Sequence, residues 1–200
     1  MTASVANSTG RQRLLRAAAE RFVDQGYAAT TLRQIAGDVG IKAGSIYHHF
    51  PSKEALFAAV LDDGIAVMVD AFDAVAIAVA PSDAPAETLL AHVRAHLGAL
   101  FEHGPFTAAH VTAFFTAPEA VRTEAVPTRD GYEHLWNDLL PRLFPELAGD
   151  RLPLHRLLLF GALNSTIEWF DPDGDLSLDE LAAAITQQFL HGVSMNADQP

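Results

Sequence analysis

Residues 31–53, TLRQIAGDVGIKAGSIYHHFPSK, carry the reading of the chain. Thr31 and Gln34 stand three apart, the spacing at which a hydroxyl and an amide side chain cap each other's backbone N–H groups, so a helix begins at Thr31. Leu32, Ile35, Ala36 and Val39 recur at helical spacing, and Gly40 supplies the left-handed residue that ends the helix. Ala43 to Phe50 form a second helix, too short to persist alone. Two short helices around a glycine turn are a helix-turn-helix. The second presents Lys42, Ser45, Tyr47 and His48 on one side and Ile46 and Phe50 on the other. The first side is a row of hydrogen-bonding groups, which suits the major groove of DNA.

Working outward, a helix is expected from Thr9, where Thr9 and Gln12 repeat the capping spacing, through Leu15, Ala18 and Phe22 to a stop at Gly26, with Tyr27 packed under the motif. Residues 1–8 read as a disordered tail. On the other side Ser52 caps a long helix with Leu61, Ile65, Met68, Phe72, Val75 and Val79 on one stripe. Pro81 and Pro85 break it. Further helices are expected over Ala86–His103, Phe106–Thr116, Thr128–Phe144, Pro153–Phe170 and Leu178–Val193, with Pro141 kinking or ending its helix. Residues 118–127 stay unassigned, and Pro145 to Asp150 reads as a loop. No segment alternates with period two, so the fold class is all-α with about nine helices. The expected division is a three-helix DNA-binding domain over 9–53 and a larger helical domain over 54–195.

Net charge is −12, and it is divided unevenly. Residues 1–53 hold seven Lys and Arg against three acids, net +4; the remainder is net −16. A basic end and an acidic body favour approach to phosphate in one orientation. The absence of Cys excludes disulfides and thiolate metal sites, and no leader or membrane-spanning apolar run is evident, so a soluble cytoplasmic protein is expected.

Ile35-Ala36, Val39-Gly40-Ile41, Gly44 to Phe50 and Lys53-Glu54-Ala55-Leu56 together resemble the DNA-binding signature of the TetR family of bacterial repressors, from about Arg11 to Phe57. Lys42 departs from it, standing where the family often has a Ser or Thr N-cap. The resemblance implies that Thr31, Tyr47 and Lys53 contact phosphate, while Lys42, Ala43, Gly44, Ser45 and His48 lie nearest base edges; Arg33 completes the basic face. It also implies that the larger domain binds a ligand and dimerises. Candidate pocket residues are Phe101, Phe114, Trp136, Phe160 and Asn164. Gly161, Ser165, Glu168, Leu181, Ala184, Ile185 and Gln188 are the candidate dimer interface. The Leu154 to Ile167 segment supports the interface on its own terms, because a helix apolar around nearly its whole circumference must be covered on both sides.

Other constellations point away from chemistry. Asp171, Asp173 and Asp175 fail as a calcium loop, since Leu176 and Ala182 stand where Gly and Glu are needed. His92 and His96 lie one turn apart, but Val93 excludes the His-Glu-x-x-His arrangement of a zinc hydrolase. No catalytic residue, metal ligand or cofactor is assigned. The residues from Gly161 to Gly192 resemble the C-terminal part of those TetR-family members that control lipid and sterol breakdown and respond to acyl-CoA thioesters. The function expected is a dimeric repressor of a palindromic operator on double-stranded DNA, released by a small hydrophobic effector of which an acyl-CoA is one class. A metal-responsive regulator and a DNA-binding activator or structural protein without a switch are the alternatives.

Overall fold

The computed structural model describes the backbone of residues 2–78 and 84–197, with side chains except at 2–9, 124 and 193–197. Among these residues the chain forms eight α-helices, five short 3-10 segments and no strand, which agrees with the all-α reading. The helices are α1 (Thr2–Ala29), α2 (Leu32–Asp38), α3 (Lys53–Ala78), α4 (Pro85–Phe101), α5 (Pro105–Ala113), α6 (Glu119–Leu143), α7 (Leu152–Ser165) and α8 (Leu178–Ala197). The expected break at Pro81 and the last apolar position, Val79, lie outside the described residues.

Three boundaries differ from expectation. Backbone from Thr2 to Ser8 continues α1 instead of forming a tail, since no proline interrupts it. Gly26, at φ 76°, still marks a break near the end of that helix. In the unassigned stretch 118–127 the chain is helical from Glu119, and α6 runs through both Pro127 and Pro141. Each proline removes one backbone donor, which a 25-residue helix tolerates more readily than a short one.

The chain divides into two compact units: Met1–Val67 with His103–Arg129, and Met68–Glu102 with Asp130–Pro200. These do not follow the division at residue 53. In the first unit Leu14, Leu15, Ala18 and Phe22 of α1 share one core with Ile35, Ile46, Phe50, Phe57 and Val60, and with Ala109, Ala113 and Phe114 from α5 and the turn after it. Gly64 makes that packing possible. A Cβ there would lie 2.6 Å from the Phe106 carbonyl oxygen, so the start of α5 approaches α3 as closely as backbone allows.

The second unit packs α4 against α8 and α7, with the C-terminal part of α6 between the aromatic side chains. Leu89, Val93, Leu97, Trp136, Leu140, Leu159, Leu163, Leu181 and Ala182 are among its buried apolar residues. Ser177 and Glu180 form the reciprocal cap that begins α8.

Candidate DNA-binding face and effector site

The DNA-facing geometry follows from local chemistry. Thr31 N–H donates to Gln34 Oε1 at 2.8 Å and Gln34 N–H to Thr31 Oγ1 at 3.3 Å, so both orphan donors of the α2 start are satisfied. At the other end Gly40 takes φ 73°, the Ile41 N–H reaches the Ala36 carbonyl at 2.9 Å and the Gly40 N–H reaches Gly37 at 3.1 Å. That pair of bonds is a Schellman stop, which only a residue tolerant of positive φ can close. The next segment, Ala43–His48, is a 3-10 helix, and Lys42 at its N-cap makes no side-chain cap.

Two long-range contacts, invisible to spacing, hold this turn in place. Arg21 grips Asp38 with two bonds of 2.7 and 2.6 Å, and Arg13 Nη2 donates to the Val39 carbonyl at 2.9 Å. The Asp38 carboxyl is held below its ordinary range, chiefly by the hydrogen bond from Arg21. With Arg16 paired to Glu20, three of the basic residues counted in the first 53 are occupied in holding the unit itself. Arg33 and Lys42 are exposed and make no such bond among the described residues.

Thr31, Arg33, Lys42, Gly44, Tyr47 and His48 are exposed on this unit, with Ala43 and Ser45 half-buried and Ile46 fully buried beneath. Tyr47 is 60% exposed. Lys53 is different. Its ammonium donates to the Tyr27 and Thr30 carbonyls at 2.9 and 3.0 Å and sits 4.1 Å from the centre of the Tyr27 ring. Lys53 spends two of its three N–H groups closing the α1 to α2 turn, which leaves one for a phosphate.

In the second unit, Trp136, Phe160 and Asn164 are brought together. Trp136 and Phe160 meet edge to face at 5.7 Å, and Phe72 meets Trp136 at 5.5 Å. His96 stands among them with Tyr132 Oη 2.8 Å from Nδ1 and Asn164 Oδ1 3.2 Å from Nε2. Both imidazole nitrogens are engaged, which leaves His96 no lone pair for a metal. Burial drives the His96 pKa down to about 4 and raises that of Tyr132, so both stay neutral. Next to this cluster a mostly buried ion pair joins Arg156 to Glu133, with the guanidinium 5.6 Å from the Phe160 ring centre. The sequence singled out His96 beside His92, but its bonds to Tyr132 and Asn164 and the Arg156 to Glu133 pair could not be read, because the partners come from different helices.

Two expected pocket residues are elsewhere. Phe114 lies in the core of the first unit, stacked on His110 at 5.5 Å, because α5 packs on α1. Phe101 packs on Phe170 at 5.0 Å at the end of α4.

The expected interface residues mostly share one exposed apolar surface. Gly161, Ser165 and Glu168 are exposed on and just after α7, beside Leu154, Leu157 and Leu158, while Ala184 and Gln188 are exposed on α8. A cleft of about 280 Å³ between the two helices is lined by Leu158, Ala162, Ile185, Gln188 and Gly192 among others. Leu181, expected at the interface, is 3% exposed and belongs to the unit's own core, on a helix that packs against α4. Ile185 is also nearly buried but still lines the cleft.

Comparison with known proteins matches residues 14–60 to the bacterial regulatory proteins of the tetR family, and residues 82–193 to the tetracyclin repressor-like C-terminal domain. The chain is 28% identical to the HTH-type transcriptional repressor KstR2 of Mycolicibacterium smegmatis (strain ATCC 700084 / mc(2)155), covering 93% of this chain and 91% of that one. Among solved structures it is similar to a TetR-family transcriptional regulator from Bordetella parapertussis 12822, with TM-score 0.79, 27% identity and coverage of 90% and 93% of the two chains. It is also similar to the ketosteroid transcriptional regulator KstR2 of Mycobacterium tuberculosis, with TM-score 0.71, 25% identity and 93% of each chain covered. No helix among the described residues is long and apolar enough to cross a membrane.

Proposed function

Because this chain belongs to the TetR family of bacterial regulatory proteins and is a DNA-binding transcriptional regulator, we propose that it works as a homodimeric repressor, released from a palindromic operator by a small hydrophobic effector. The observation that carries the proposal is the exposed polar row Thr31, Arg33, Lys42, Tyr47 and His48, set on a turn that two arginines and a Schellman stop hold rigid. Phosphate contacts from Thr31, Tyr47 and the remaining Lys53 N–H fix its position, and Lys42 to His48 read base edges. The α7 and α8 surface supplies the two-fold contact that places a second copy of this row about 34–36 Å along the duplex.

The effector site is the aromatic cluster of the second unit. It includes Phe72 of α3, the helix whose first turn carries Lys53. An effector that prefers a shifted α3 lowers operator affinity by that preference, typically ~1–3 kcal/mol. A ring-derived hydrophobic effector is supported by the similarity to KstR2, described as a ketosteroid regulator. Whether it arrives as a free acid or an acyl-CoA is decided by titrating operator-bound protein with matched pairs. No catalytic step is assigned, and the cytoplasm, where DNA lies, is the place of action.

Selection from random duplex DNA tests the proposal. The expected outcome is a palindrome whose half-sites are roughly 10 base pairs apart centre to centre, or a multiple of that. Enrichment of a single half-site, or of no sequence, overturns it.

A further inference from the structure

Lys42 stands at the N-cap of the Ala43–His48 turn, exposed and without a side-chain cap bond. The two residues after it are small. Ala43 is half-buried, and a Cβ built on Gly44 would meet nothing within 4 Å. In a helix laid in the major groove the N-terminal residues are those that reach base edges. Nothing on residues 43 and 44 therefore keeps the Lys42 ammonium from the groove floor.

What this face can read depends on its acceptors as much as on its donors. From Thr31 to Phe50 only Gln34 and Asp38 carry a side-chain amide or carboxylate, and both are already engaged. Gln34 Oε1 accepts from the Thr31 N–H at 2.8 Å and from the Thr31 hydroxyl at 2.7 Å. The two Asp38 oxygens accept from Arg21 at 2.7 and 2.6 Å. Gln34 is thus unable to form the paired amide bonds that read adenine, and Asp38 is unable to take the amino group of cytosine. Ser45, Tyr47 and His48 both donate and accept, so they do not choose between donor and acceptor edges. The Lys42 ammonium has three N–H groups and no acceptor, so it does. Arg33, the other exposed donor-only group, stands on α2, the helix of such a pair that crosses the phosphate backbone.

In the major groove guanine presents two acceptors side by side, O6 and N7. Adenine sets an amino donor beside its N7, thymine a methyl beside its O4, and cytosine offers a donor. We propose that Lys42 sets the base preference of the operator, its ammonium donating to O6 and N7 of one guanine in each half-site. The inference rests on the reading of Lys42 to His48 as the segment that meets base edges. It adds the base that the segment selects.

The test is selection from random duplex DNA with the full-length wild type and with Lys42→Met, which keeps the length of the side chain and removes its donors. The wild type is expected to enrich a guanine-cytosine pair at one position of each half-site, preferred there over adenine-thymine by about tenfold. Lys42→Met should lose the preference at that position alone. In the selected duplex, 7-deazaguanine at the same position keeps the pairing and O6 but puts carbon in place of N7. Wild-type affinity should then fall about fivefold, and Lys42→Met should not respond. If Lys42→Met weakens every sequence by one factor, Lys42 is a phosphate contact, and the proposal is overturned with the DNA-binding face intact. Relaxation at an adenine-thymine position, or at none, overturns it in the same way. Enrichment of no sequence by the wild type overturns both the proposal and the reading of the face. Should the variant fail to fold, 7-deazaguanine placed in turn at each guanine of the half-site decides with the wild type, and no loss at any of them contradicts the proposal.

Discussion

The two units arrange polarity in opposite ways. In the first, the fully buried polar residues among those described are Thr30, Thr107 and His110, and the charged and hydroxyl groups of its working face are outside. In the second, His92, His96, His155, Thr166 and Thr186 are buried, and Arg156 pairs with Glu133 inside, while Leu154, Leu157, Leu158 and Trp169 are exposed. A polar exterior over an apolar core is complete as a folded unit and meets its partner, DNA, without reorganising. An apolar patch outside a core that also buries several histidines calls for another protein surface to cover it. Substitutions on the first unit's face should therefore alter binding alone. Those in the second should couple assembly, stability and effector response.

The largest expected break in this contrast is at Gly161. A Cβ there meets nothing within 4 Å in the single chain, so Gly161→Glu leaves the subunit folded, and its helix gains from the loss of glycine. In the dimer the same carboxylate is desolvated without a partner, at about 3–5 kcal/mol. Analytical ultracentrifugation should show folded monomers at micromolar concentration. A dimer as strong as wild type would mean that α7 does not form the interface.

A pH series sharpens the contrast from the interior. His96 and His110 are each held at about 4, below the ordinary 6.5, by burial, with Arg129 adding to the effect at His110. Between pH 6.5 and 4 the unfolded chain thus binds more protons than the folded one, and stability falls as pH is lowered through that window. The loss reaches roughly 3 kcal/mol per histidine. Urea midpoints at pH 7 and pH 4.5 read it, and His96→Gln should flatten the slope. A midpoint independent of pH would contradict the buried, neutral assignment.

Lys53 is where the first unit departs from the simple rule. Lys53→Ala should cost about 1–3 kcal/mol of stability, because two charged hydrogen bonds to the Tyr27 and Thr30 carbonyls are lost, and it should weaken operator binding as well. Loss of DNA affinity at an unchanged unfolding midpoint would show that the ammonium points outward in solution.

Much of the first unit was legible because its signals are local. Thr31 with Gln34, Gly40, and the spacing of Ile35, Ile46 and Phe50 all act within one turn of chain, and the structure keeps each of them. What could not be read was long-range. Nothing in the spacing says that Arg21 reaches Asp38, that α5 completes the core of α1, or that Phe114 therefore leaves the expected pocket. In the second unit the all-apolar circumference of α7 was a local signal and correctly pointed to an uncovered face. Leu181 is buried in the unit's own core while Ile185, one turn on, lines the cleft, and one stripe of sequence does not say which is which. The His96 bonds to Tyr132 and Asn164 span 36 and 68 residues and exist only after folding.

The most direct measurement is operator affinity as a function of salt for the wild type and for the Lys42→Ala, Tyr47→Ala double variant. Neither side chain is used to hold the fold, Lys42 making no cap and Tyr47 being 60% exposed. Affinity is expected to fall about tenfold or more, and the salt slope to shrink by about one for the lost cation, with thermal unfolding unchanged. Unaltered affinity and slope in the double variant would contradict the assignment of this face to DNA.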